Sequence, residues 1–292
     1  MENQTELNSN EKSIRSIIEK IVLVFLLSYG ISSLGDFVRD QYKVLIKALD
    51  LREDIDHALG YGGHICSLIL FLLYALAVKG DRKYILSFRD GSFSRNFKLA
   101  LLGALSGFGL MGICIFGAWS SGTISISPSF SLSIPMLLVS FFFVFLQSST
   151  EEIESRGFVF GKMSQEGVPV ALACIVSSFY FSFLHAHNTG FNIIPAVSIF
   201  MAGLLFVLGY YYFKTIWFSF MLHTTWNFTQ DFIFGLPDSG HPAAASIFSS
   251  TIKGSGFFYD EVFGIEGSFM AILSMMVVCI LFVVIGRKFK KD

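Results

Sequence analysis

Eight stretches of the chain are apolar, all but the fourth for roughly the 20 residues that a helix needs to cross a bilayer. They run Ile17 to Leu34, Tyr61 to Val78, Phe97 to Trp119, Ile134 to Leu146, Val168 to His185, Ile193 to Phe213, Ile216 to Phe234 and Ser268 to Gly286. Runs of this length, recurring end to end, leave little chain from which to build a water-facing surface. Charged residues are only 15 % of the sequence and hydrophobic ones 53 %, against about 25 % charged in a soluble domain. An ordinary soluble enzyme and a disordered chain are both excluded. A net charge of −1 excludes a partner held by charge, so no nucleic acid is expected. The expected fold is all-α: a polytopic membrane protein of about eight transmembrane helices whose first partner is the lipid bilayer.

The first run lacks a small-residue cleavage site and is followed by further apolar runs. It therefore reads as the first membrane helix rather than a signal peptide. Cytoplasmic loops are rich in Lys and Arg. Sixteen of the 21 basic residues fall on the side of the two termini, which places both termini in the cytoplasm of a multi-pass cell-membrane protein. Lys12, Arg15, the 79–98 loop with its six cations, and the C-terminal Lys290 and Lys291 dominate that count. Arg39, Lys43, Lys47 and Arg52 fall on the other side, mixed with acids, and read as an amphipathic surface segment. The loop of residues 235–267 is irregular and is expected to overhang an outer face. Three regions follow: 1–132 with the first three membrane helices, 133–234 as a polar-bearing helical core, and 235–292 with the loop and the last helix. Cys66, Cys114, Cys174 and Cys279 each stand alone in apolar sequence, as small buried hydrophobes do.

Ionisable groups at membrane depth are costly and usually face a protein interior or water. Three clusters carry them. In Glu151-Glu152-Ile153-Glu154-Ser155-Arg156, Glu152 and Arg156 are helix neighbours four apart and can pair. Glu151 then points about 100° away and stays free. Phe181 and His185 share one helix face, whereas His185 and His187 diverge if the helix continues. His223 and Asn227 lie four apart on one face of the seventh run. A carboxylate, two imidazoles and an amide on three helices can activate water and stabilise an oxyanion. The same groups suit a plain interhelical hydrogen-bond network or a proton path. His57, His64 and His241 stand apart from these clusters and read as ordinary structural residues.

EExxxR, FxxxH and HxxxN, in that order on successive apolar segments, resemble the CPBP family of intramembrane proteases. This family includes the type II CAAX prenyl endopeptidases and the Abi-type proteins. The matching residues are Glu151, Glu152 and Arg156, then Phe181 and His185, then His223 and Asn227, over about residues 133–234. The resemblance implies an internal catalytic cavity and hydrolysis of a peptide bond in a peptide or membrane-protein substrate. That substrate would be of CAAX type or a leader, pheromone or bacteriocin precursor. It also implies that Glu151 activates water, His185 and His223 orient it or bind a metal, and Asn227 serves the oxyanion. Glu152, Arg156 and Phe181 would support them. Two His and a carboxylate could hold Zn²⁺, or the site could work without metal; both stay open. So do a non-catalytic regulatory scaffold and a transporter.

Overall fold

The computed structural model describes residues 2–289, with side chains over 13–286. Lys12, Lys290 and Lys291, which entered the charge count, lie outside the described side chains. Helix α1 spans Glu2–Ala48. It is followed by α2 (Glu53–Gly62), α3 (Ile65–Ala77), the short α4 (Arg82–Ile85) and α5 (Phe93–Ser120). Helix α6 (Ile134–Glu152) runs into a π-helical segment, Ile153–Phe160, and then α7 (Gly161–Gln165). The second half holds α8 (Val170–Leu184), α9 (Ile193–Phe213), α10 (Trp217–Phe228) with a π-helical extension Thr229–Ile233, and α11 (Phe269–Phe289). The protein is an all-α, multi-pass membrane protein. Among the described residues, six helical stretches are long and apolar enough to cross a membrane. All eight expected runs are helical. The fifth and seventh are shorter than a span, at 15 residues in α8 and 17 from Trp217 to Ile233 in α10 with its extension.

Two expectations are corrected. The first helix does not stop near Leu34 but continues to Ala48. Arg39 and Lys43 therefore ride on α1 and line a cavity open to the outside, Lys43 remaining exposed, instead of forming a separate surface segment. The 235–267 loop does not merely overhang. Its residues Phe248–Ile252 (β2) pair antiparallel with Ile124–Pro128 (β1), and Asp238, Ser239 and His241 reach the same cavity. The Ser-rich stretch before α6 is thus tied into a ribbon.

Helix α10 carries polar residues and has no exposed side chain; only Trp217 and Met221 are half-buried. It is sheathed by longer helices, and its closest neighbour is α5. Gly103 and Gly107 of α5 form a GxxxG pair, which lets two backbones meet. A Cβ on Gly103 would lie 2.2 Å from the Phe218 carbonyl oxygen, and one on Gly107 2.1 Å from Thr225 Oγ1. The other face of α5 exposes Leu101, Leu105 and Phe116, as a lipid-facing surface does. Helix α9 approaches α8 in the same way, since a Cβ on Gly203 would meet the Ser178 backbone at 2.9 Å.

Gly107→Val is expected to overpack the α5–α10 contact and destabilise the protein by about 1–3 kcal/mol. Gly112→Val, on the open side of the same helix with nothing within 4 Å, should leave stability unchanged. Thermal unfolding of the two detergent-purified variants tests this.

Candidate active site

The EExxxR cluster sits where α6 passes into the wider π-helical turn, a feature that often marks functional sites. Glu152 and Arg156 are both fully buried. Arg156 Nη1 donates to Glu152 Oε1 at 3.0 Å, so the expected pair forms. Nη2 donates to the Gly203 carbonyl at 3.2 Å. The guanidinium lies between two rings, 4.2 Å from the Phe181 centroid and 4.9 Å from that of Phe206. Phe181 thereby packs the cation from one side.

Glu152 Oε1 also receives His223 Nδ1 at 3.0 Å. A carboxylate oxygen shared with an arginine can only accept, so Nδ1 bears a proton, and in its neutral form the ring keeps its lone pair on Nε2. The imidazole is stacked on Phe206, 4.9 Å away with 21° between planes, and stands edge-on to Phe181. Its Nε2 lies 3.9 Å from Glu151 Oε2, an oxygen that is buried without a hydrogen-bond partner. Two acceptors therefore face one gap, spaced so that a water molecule could donate a proton to each.

His185 follows the last residue of α8. Its Nδ1 contacts the Phe181 carbonyl at 2.9 Å, which puts a ring proton on Nδ1 and, in the neutral form, leaves Nε2 as an acceptor. The ring packs edge-on against Phe181 at 4.9 Å. Asn227 Nδ2 donates to Gln147 Oε1 at 3.3 Å. Glu151, His185 and Asn227 all line a cavity of about 500 Å³, with His223 buried beside it.

With this geometry in view, comparison with known families is informative. The family described as type II CAAX prenyl endopeptidase, Rce1-like, matches residues 131–229. This core is Rce1-like. Over these residues the chain is similar to that protease family, and the match covers a third of its length. No curated protein matches the chain.

The Rce1-like core does not complete the cavity alone. Gln147, inside the core but not singled out from sequence, donates from Nε2 to Glu151 Oε1 at 2.6 Å while its carbonyl accepts from Ser148 and Asn227. Its four-residue spacing from Glu151 was a signal available in the sequence. His57, His64 and His241 line the cavity, correcting their reading as residues apart from the site, and His187 lines it too. His187 joins because α8 ends at Leu184, so the two histidines leave the helix and no longer diverge. His64 Nδ1 lies 3.7 Å from Glu151 Oε1. His57 Nε2 contacts Asp231 Oδ2 at 2.6 Å, and Tyr61 OH lies 2.8 Å from both Asp231 and Asp238. One hydroxyl proton cannot serve two carboxylates, so one of the two contacts calls for a proton on the carboxyl itself. Asp238 suits that role: burial, reinforced by the nearby Glu266 and Asp231, pushes its carboxyl well above the usual range. Burial, followed by the charge of Lys43, holds His241 below its ordinary value.

Zinc chemistry would need three donors drawn together. Among the described residues, no three His, Cys, Asp or Glu side chains are grouped closely enough to hold a metal ion.

Arg156→Ala leaves Glu152 buried without its cation, and the expected cost is about 3–5 kcal/mol. Replacing both, as Glu152→Gln with Arg156→Met, should recover part of it because no unpaired charge remains. A double-variant comparison of thermal unfolding in detergent reads the difference, and equal loss in both proteins would show that the charge pairing is not the cause.

Proposed function

We propose that the protein is an intramembrane endopeptidase in which Glu151 activates water for attack on a peptide carbonyl. The observation that carries this reading is the pair of acceptors, Glu151 Oε2 and His223 Nε2, 3.9 Å apart, one with no partner of its own. Water in that gap would donate one proton to each and turn a lone pair toward the cavity. As the oxygen bonds to the carbonyl carbon, Glu151 takes a proton and the carbonyl electrons move onto its oxygen. Asn227, with one amide N–H engaged by Gln147, has a second to offer that oxyanion. His185 presents another acceptor to the cavity and shares in orienting water or substrate. Collapse of the intermediate breaks the C–N bond, and the proton held by Glu151 passes to the leaving amine. Glu152 and Arg156 act through His223 by fixing its tautomer.

The substrate is a peptide or a membrane-protein segment. A volume of about 500 Å³ lies in the range of ordinary ligand sites. The family's description supports CAAX-type peptides as the first class, with leader or pheromone precursors next. The charge count supports a cell-membrane location with cytoplasmic termini.

Glu151→Gln is expected to keep the fold and lower turnover by at least a thousandfold, read by mass spectrometry of a peptide pool incubated with purified protein. Activity near wild type would overturn the assignment of the base. Wild-type activity is further expected to survive exhaustive chelation, with elemental analysis of the same sample showing no stoichiometric metal. Loss on chelation and recovery with Zn²⁺ would instead place a metal in the reaction.

A further inference from the structure

The family match begins at residue 131, yet the polar wall opposite Glu151 comes from the first two helical segments. His64 stands in the turn between α2 and α3. The sequence there is Gly62-Gly63-His64, and both glycines are close-packed. A Cβ on Gly62 would lie 2.9 Å from the Phe143 ring and one on Gly63 2.8 Å from Arg39 Cγ. The turn is thus pressed between α6 and α1, where a bulkier residue would hold the imidazole away from the cavity.

Arg39 reaches His64 from α1. Its Nη1 lies 2.9 Å from His64 Nε2 and 3.4 Å from Nδ1, and its Nη2 is anchored on Asp36 at 2.9 Å. A guanidinium has donors only. The ring nitrogen nearest to it must therefore carry a lone pair, which leaves the proton of the neutral ring on Nδ1. That N–H is the atom 3.7 Å from Glu151 Oε1. The same oxygen already accepts from Gln147 at 2.6 Å. Donors thus gather on Oε1 while Oε2 has none.

We propose that His64, its tautomer set by Arg39, is a positioning residue that holds Glu151 with Oε1 restrained and Oε2 presented to water. This rests on the reading of Glu151 as the base. At 3.7 Å the contact is one between a dipole and a charge, and a small ring movement closes it to a hydrogen bond. Such tightening is usual when a substrate loads the site. His64 touches neither water nor substrate in this role; it acts by denying the carboxylate its alternative rotations. The hydrolytic core then depends on a contact made from outside the matched segment.

Two measurements test it. In the first, ¹⁵N-histidine spectra of the detergent-solubilised protein should show, beside the Nδ1–H rings of His185 and His223, a further Nδ1–H neutral ring that alone vanishes in His64→Asn. In Arg39→Leu that ring should revert to the commoner Nε2–H form. This arm needs no activity. In the second, His64→Ala should lower kcat about tenfold to a hundredfold, the worth of a hydrogen bond to a charged group, with KM within about threefold. An asparagine amide nitrogen overlays Nδ1 and a glutamine one overlays Nε2. His64→Asn should therefore recover most of kcat and His64→Gln should not. Wild type that cleaves nothing would sink the protease reading, whatever the spectra show. A cleaving wild type whose kcat survives His64→Ala, or is recovered equally by Asn and Gln, would overturn the role of His64 alone. So would an Nε2–H ring at His64.

Discussion

An arginine with no accessible surface keeps its charge only where a counter-ion and acceptors meet it. Here one carboxylate oxygen of Glu152 does so for Arg156 and, at the same distance, for His223. That single oxygen joins the π-helical turn after α6 to α10, and the other guanidinium nitrogen ties both to α9 through the Gly203 carbonyl. Three helices are thereby fixed relative to one another by directional contacts inside an apolar bundle, where the penalty for a lost partner is high. The tautomer of His223, the direction of its lone pair and the isolation of Glu151 all follow from that arrangement.

The two wide helical turns have a related logic. Each begins just after the residues that bear the chemistry, at Ile153 after Glu152 and at Thr229 after Asn227 and Phe228. A π turn shifts the side-chain register relative to a regular helix. Arg156 still reaches Glu152 four residues back, while Glu154 turns to a separate buried group, accepting from Tyr180 and Ser32. Adjacent carboxylates are thus sent to different partners, and Glu151 is left without a cation of its own on α6.

Legibility in the sequence divided along physical lines. Helices were readable because apolar length speaks directly of burial in a bilayer, and the Glu152–Arg156 pair because a spacing of four is local geometry. His185, His223 and Asn227 were readable because polar groups inside apolar runs are conspicuous. His64, His57 and His241 were not, since their membership in the cavity depends on how α1, α2 and the 235–247 segment fold back, over separations that no local pattern encodes. Arg39 and Lys43 were misplaced for a simpler reason. Charges beyond Leu34 suggested a separate surface segment, whereas α1 continues and places two of them at the cavity. The surroundings of α10 were not readable, because apolar composition does not distinguish a helix facing lipid from one buried among other helices.

That last distinction has a consequence for how the protein meets its surroundings. The helix bearing His223 and Asn227 is short, polar and wholly enclosed, and the lipid-facing work falls to longer neighbours such as α5. Any mismatch between protein and bilayer thickness is then taken up by tilt in those outer helices, while the inner helix stays fixed by its glycine contacts and its shared carboxylate. The polar groups of the inner helix are mechanically insulated from the host membrane, so bilayers of different thickness would leave the same interior.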